Sequence, residues 1–161
     1  MGLFDKFKKI LLITLVVLIA IIITLGVTIR IANNSIAKGL EKELLACEHP
    51  TEIEIIESIS VAGKMMGNGN GMQWFGIILV KSGMDENMLS DWYKSHVTTE
   101  DNETVFVLKQ KSDSVFDYKA PYFKNYPGGN DIYKVCLLRN LAVGAESTIW
   151  ESLLNWDLRG H

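Results

Sequence analysis

The sequence predicts an α+β protein: one N-terminal transmembrane helix, then a two-layer domain with an antiparallel sheet and helices on one face. Three observations predict it. Ile10 to Ile29 is an unbroken run of 20 uncharged residues. Downstream, short runs rich in Val, Ile and Phe are bounded by Gly, Asn and Pro, which is how strands read. Between and after those runs, apolar residues recur at helical spacing.

The apolar run matches a bilayer. A hydrocarbon core of about 30 Å needs about 20 helical residues. Thr14, Thr24 and Thr28 can return their hydroxyls to the preceding turn, so no polar group faces lipid unpaired. A cleaved secretory signal has a shorter apolar core, about 7–15 residues, followed by a small-x-small site; no such site follows here. The expected organisation is a basic tail over 1–9, an anchor over 10–30, a stalk helix over 31–50 and an α+β domain over 51–161. Lys6, Lys8 and Lys9 precede the run, while a large domain crosses a membrane largely regardless of charge. The expectation is an N-terminus in the cytoplasm and a domain outside the cell membrane.

Hydrophobic residues at 48% and charged residues at 22% exclude a disordered or collagen-like chain. Four of the 16 basic residues (Lys6, Lys8, Lys9, Arg30) and one of the 19 acidic residues (Asp5) precede Asn33. The remainder therefore carries about −6 while the whole chain carries −3. That balance speaks against nucleic acid as a partner.

Ile36, Leu40, Leu44 and Leu45 mark one face of a helix over Asn34–Cys47, ended at His49-Pro50. Glu52–Met66 alternates as a strand with a phase break at Ile56-Glu57, which predicts a bulge. Gln73–Lys81 is almost continuously apolar, as a central strand covered on both faces would be. Gly67, Asn68, Gly69, Asn70 and Gly71 lie between these strands and read as a hairpin loop, since Gly and Asn tolerate positive φ. Asp85–Lys94 reads as helix, Thr104–Lys109 as strand and Val115–Lys119 as a further short strand. Ala120–Asp131, with Pro and Gly-Gly-Asn, reads as loop. Ile132–Arg139 is the last strand. Thr148 to Glu151 has capping-box spacing ahead of a final amphipathic helix through Leu158.

No catalytic, cofactor-binding or metal-ligating constellation is evident. The glycine loop lacks the Lys-Ser/Thr of a phosphate loop. His96 beside Ser95 does not make a triad, and Cys47, His49, Cys136 and His161 fit no zinc spacing. Cys47 and Cys136 are candidates for a disulfide in an oxidising compartment. Tyr118, Tyr122, Phe123, Tyr126 and Tyr133 surround the Pro-Gly loop and are the candidate partner-binding surface. A basic start, membrane helix and stalk running into a sheet is similar in architecture to pilin-like proteins. Their processing motif, a glycine before an aromatic-led apolar run and a glutamate, is missing here, so the resemblance stays architectural.

The expected function is a non-enzymatic, single-pass, membrane-anchored interaction or sensing domain. Its partners would be the lipid bilayer through Ile10–Ile29, and another envelope protein or a second copy of itself. The alternative is a structural subunit of an envelope or pilus-like assembly packing through its N-terminal helix. A small envelope hydrolase is the third class.

Overall fold

The computed structural model describes residues 3–65, 71–100, 102–116, 119–141, 148–157 and 159. The expected hairpin loop falls outside them except for Gly71, and so does Tyr118.

Helix α1 runs unbroken over Leu3–Ala46. Its most apolar stretch has a mean hydropathy of 3.3, has no cover from the rest of the protein, and is long enough to cross a membrane. Thr24 Oγ1 donates to the Ala20 carbonyl at 2.8 Å and Thr28 Oγ1 to that of Thr24 at 2.9 Å. These hydroxyls stay satisfied inside the helix, as lipid requires.

The strands follow as β1 (Ile53–Gly63), β2 (Gln73–Ser82), β3 (Glu103–Lys109), β4 (Ser114–Phe116), β5 (Lys119–Tyr122) and β6 (Ile132–Asn140). Helix α2 (Glu86–His96) lies between β2 and β3, and α3 (Ile149–Leu154) follows β6. The main sheet has the order β1-β2-β6-β3, and every neighbouring pair is antiparallel. The β1–β2 register shifts between Ile55 and Glu57, where the alternation predicts a bulge. Asp85 caps α2, its side chain accepting from Met88 N at 2.9 Å.

Two differences from the expected elements have local causes. Ala120–Tyr122, expected as loop, belongs with Lys119 to strand β5, because this stretch pairs with β4 in a separate two-stranded sheet. Pro121 is tolerated there because an edge position needs no inward N–H. Helix α3 has the expected capping box between Thr148 and Glu151 but only six residues. Of its apolar residues Leu154 is buried, whereas Ile149 and Trp150 face outward. So short a helix, packed chiefly against α1, does not cover the whole stripe.

Period-two alternation divides the core into two faces. On one face Trp74, Ile78 and Val80 of β2 join Val135 and Leu137 of β6 and Val105 and Val107 of β3. Ala37, Leu40 and Leu44 of α1 and Leu89 and Tyr93 of α2 cover them. Residues 31–46, expected as a stalk, are therefore the main helical layer of the domain. On the other face Phe75, Ile77, Leu79, Cys136 and Leu138 pack under Val115 and Phe116 of β4 and under Phe123. Lys134 fixes this flap, donating to the Val115 carbonyl at 2.6 Å with its ammonium 5.8 Å from the Phe116 ring centre. Cover on both faces explains why β2 carries no polar side chain between Trp74 and Val80.

Glu41 is a buried carboxylate on the sheet side of α1. It accepts from Ser58 Oγ of β1 at 2.7 Å and from Lys38 Nζ at 2.6 Å. Burial pushes its pKa up, but the hydrogen bonds from Lys38, Ser58 and Ser60 outweigh this and hold it below the usual value. Asp157 is also lowered: burial raises it, and hydrogen bonds from Arg159 and Asn33 overcome that. Glu43 moves the other way, raised by burial and by the nearby charge of Glu103. A depressed carboxylate stabilises the fold fully above its unfolded pKa, and that contribution is lost as pH falls through the folded value. Stability should therefore drop below about pH 4, the ordinary carboxylate range. Urea midpoints across an acid series on the chain and on Glu41→Gln would check this. The variant should be weaker at neutral pH and should lose less on acidification; parallel profiles would count against the assignment.

Candidate functional site at the junction of anchor and domain

The groups that sequence reading singled out are mostly absorbed by packing. Phe123 is buried in the flap-side core. Tyr126 packs there too, and its hydroxyl donates to the Gln110 carbonyl at 3.2 Å. Tyr133 lies in the opposite core, under the helices. Only Tyr122, 50% exposed, presents a ring to the outside among the described members of that set. The five aromatics do not form one surface, because alternation along β6 sends Tyr133 to the other side of the sheet.

The candidate disulfide pair Cys47 and Cys136 is not joined in the structure. Both thiols are free. Cys47 packs against the helix-side core, whereas Cys136 is fully buried in the flap-side core, so the sheet lies between them. Burial pushes the Cys136 thiol up to about 12 and also raises that of Cys47. Cys47 Sγ donates to the Leu44 carbonyl at 3.1 Å and stands 4.0 Å from His49 Nδ1. His49 Nδ1 in turn lies 3.0 Å from the hydroxyl of the buried Tyr93. A thiol held protonated is a poor nucleophile. Maleimide labelling of the native chain should therefore be slow at Cys47 and blocked at Cys136. Both should react after denaturation without any reductant; a requirement for reductant would reinstate the bridge.

His96 stacks on the Trp92 ring at 3.9 Å, with Nδ1 2.8 Å from the Trp92 carbonyl and 2.9 Å from Ser95 Oγ. Ser95 Oγ also donates to that carbonyl, at 2.8 Å. Both side chains are engaged at the exposed end of α2. Among the described residues no group of three His, Cys, Asp or Glu side chains is placed to hold a metal ion.

The most developed polar arrangement was not anticipated from sequence. Asn33 lies four residues beyond the apolar run and is fully buried. Its Oδ1 accepts from Trp74 Nε1 of β2 at 2.9 Å. Its Nδ2 donates to the Leu154 carbonyl at the end of α3 at 3.0 Å and to Asp157 Oδ2 at 3.1 Å. Arg159 Nε donates to Asp157 at 2.9 Å, and its Nη1 donates to Asn34 Oδ1 at 2.6 Å. The backbone closes the set, with Lys64 N donating to the Arg159 carbonyl at 2.9 Å. One amide thus joins the long apolar helix, the central strand and the C-terminal segment. The available signal was an Asn in the helical stripe next to a membrane run; its partners lie more than 40 residues away and carry no spacing.

Below this network an open groove of about 480 Å³ runs between Ile22, Leu25, Gly26, Ile29 and Arg30 of α1 and Trp156, Asp157 and Arg159. Trp156 is 65% exposed. The fold and this junction define an α+β domain whose long apolar N-terminal helix is also its main core helix. No family model, curated protein or solved structure matches the chain.

Proposed function

We propose that the chain is a single-pass membrane protein whose domain faces outside the cytoplasm and acts by binding, to another envelope protein or to a second copy of itself. One observation carries the reading. The helix long and apolar enough to span a membrane continues without a break into the core of the domain. Asn33 then ties that helix to both the sheet and the C-terminus. A domain fused to its anchor holds one height and one orientation over the bilayer, which suits a module that presents a fixed face to a partner.

The alternative, a subunit of an envelope assembly, is supported by the outward-facing side chains along the apolar part of α1. Site-specific photo-crosslinking in intact membranes separates the two. A probe at the exposed Tyr122 should capture a discrete partner if the domain is the recognition module. Capture of a second copy from a probe at Ile13 alone would select the subunit reading. An impermeant reagent directed at Lys124 on intact cells tests the orientation; modification only after permeabilisation would reverse it.

A further inference from the structure

We infer that the groove between α1 and the C-terminal segment is a phospholipid site, with an acyl chain lying along α1 and the lipid phosphate at Arg30. The inference rests on α1 spanning a bilayer. Ile22 lies seven residues before Ile29, about 10 Å along the helix, so the groove opens within the apolar run and not above it. Its floor is Ile22, Leu25, Gly26 and Ile29, and its far wall is Trp156. Such a surface at the head-group boundary is filled by acyl chain, and Trp is the residue that suits that depth.

The charges agree. Asp157 and Arg159 pair with each other, and Arg159 also binds Asn34. Arg30, the first charged residue past the run, is exposed and makes no ion pair with any described residue. A guanidinium at that level matches the phosphodiester of a glycerophospholipid. Gly26 supplies the second observation. It lines the groove, and a Cβ built on it meets no atom within 4 Å. The helix therefore leaves open space where most membrane residues would fill it. The missing side chain makes room for the lipid chain.

The test uses the full chain in phosphatidylcholine vesicles brominated near the top of the acyl chains. Trp156 emission is read as the difference between the chain and its Trp156→Phe variant; Trp156 is exposed, so this change leaves the core intact. Vesicle flotation reports the anchor separately. The expected result is that Trp156 loses most of its emission to bromine, and that Gly26→Leu restores much of it without reducing flotation. Phospholipid retained per chain after mild detergent purification should fall in both Gly26→Leu and Arg30→Gln. Quenching of Trp156 by aqueous acrylamide but not by bromine would overturn the proposal. So would bromine quenching and lipid retention indifferent to both variants. Cross-linking of two chains through the groove, with no bromine effect, would replace the lipid by a second copy. Failure to float would remove the membrane reading itself.

Discussion

Gly76→Ala is expected to be among the most damaging single-methyl changes in this protein. Gly76 sits in the middle of β2, on the helix-facing side, opposite Ser60 and Leu137 in the adjoining strands. A Cβ there would lie 2.4 Å from the Leu40 carbonyl carbon and from Glu41 N, and 2.5 Å from the Leu40 oxygen. All three atoms are helix backbone, so no rotamer change relieves the clash. The helix must lift off the strand, which also pulls Leu40 and Leu44 from the core and Glu41 from Ser58. Overpacking a core typically costs about 1–3 kcal/mol; a backbone collision belongs at or above the top of that range, about 3 kcal/mol. Denaturant unfolding in detergent, followed by tryptophan emission, should show a lower midpoint. An unchanged midpoint would mean that α1 does not cross the sheet at this point. Gly39→Ala provides the control, since a Cβ there meets nothing within 4 Å and alanine is the better helix former.

Asn33→Ala is expected to release the C-terminal segment and to cost a comparable amount. The change strands Trp74 Nε1 and removes a donor from the Leu154 carbonyl and from Asp157. Each buried polar group left unpaired costs about 1–3 kcal/mol, more for a charged one. These groups form one network, so the terms do not simply add; a total of about 3 kcal/mol is expected. Trp74→Phe removes one donor and should cost less. Hydrogen exchange locates the effect. Amides of 149–157 should lose protection in Asn33→Ala while those of β6 keep most of theirs. Uniform loss across the sheet would make Asn33 a general core residue and not a clasp.

The elements that the sequence marks clearly are those whose local pattern and tertiary surroundings agree. The apolar run, the bulged alternation of β1 and the continuous β2 each record an environment that repeats along the chain. The capping chemistry at Thr148–Glu151 is local and was equally legible. The legibility ends where one residue meets another far along the chain. Lys119–Tyr122 pairs only because β4 lies beside it. Tyr133 and Tyr126 look like neighbours on a loop yet enter different cores. Cys47 and Cys136 look like a pair yet stand on opposite faces of a sheet.

The sequence by itself determined that this protein has one candidate membrane helix, an antiparallel α+β domain and a mildly acidic exterior. Those properties follow from composition and from periods of two and 3.6, which any short stretch carries on its own. Only the tertiary structure decided that the long apolar helix is also the domain's central helix, that Gly76 lets it lie against the sheet, and that Asn33 locks the C-terminus beside it. The physical reason is that close packing and buried hydrogen bonds are properties of pairs. A glycine or an asparagine acquires its meaning from the backbone or side chain that folding places within about 3 Å of it.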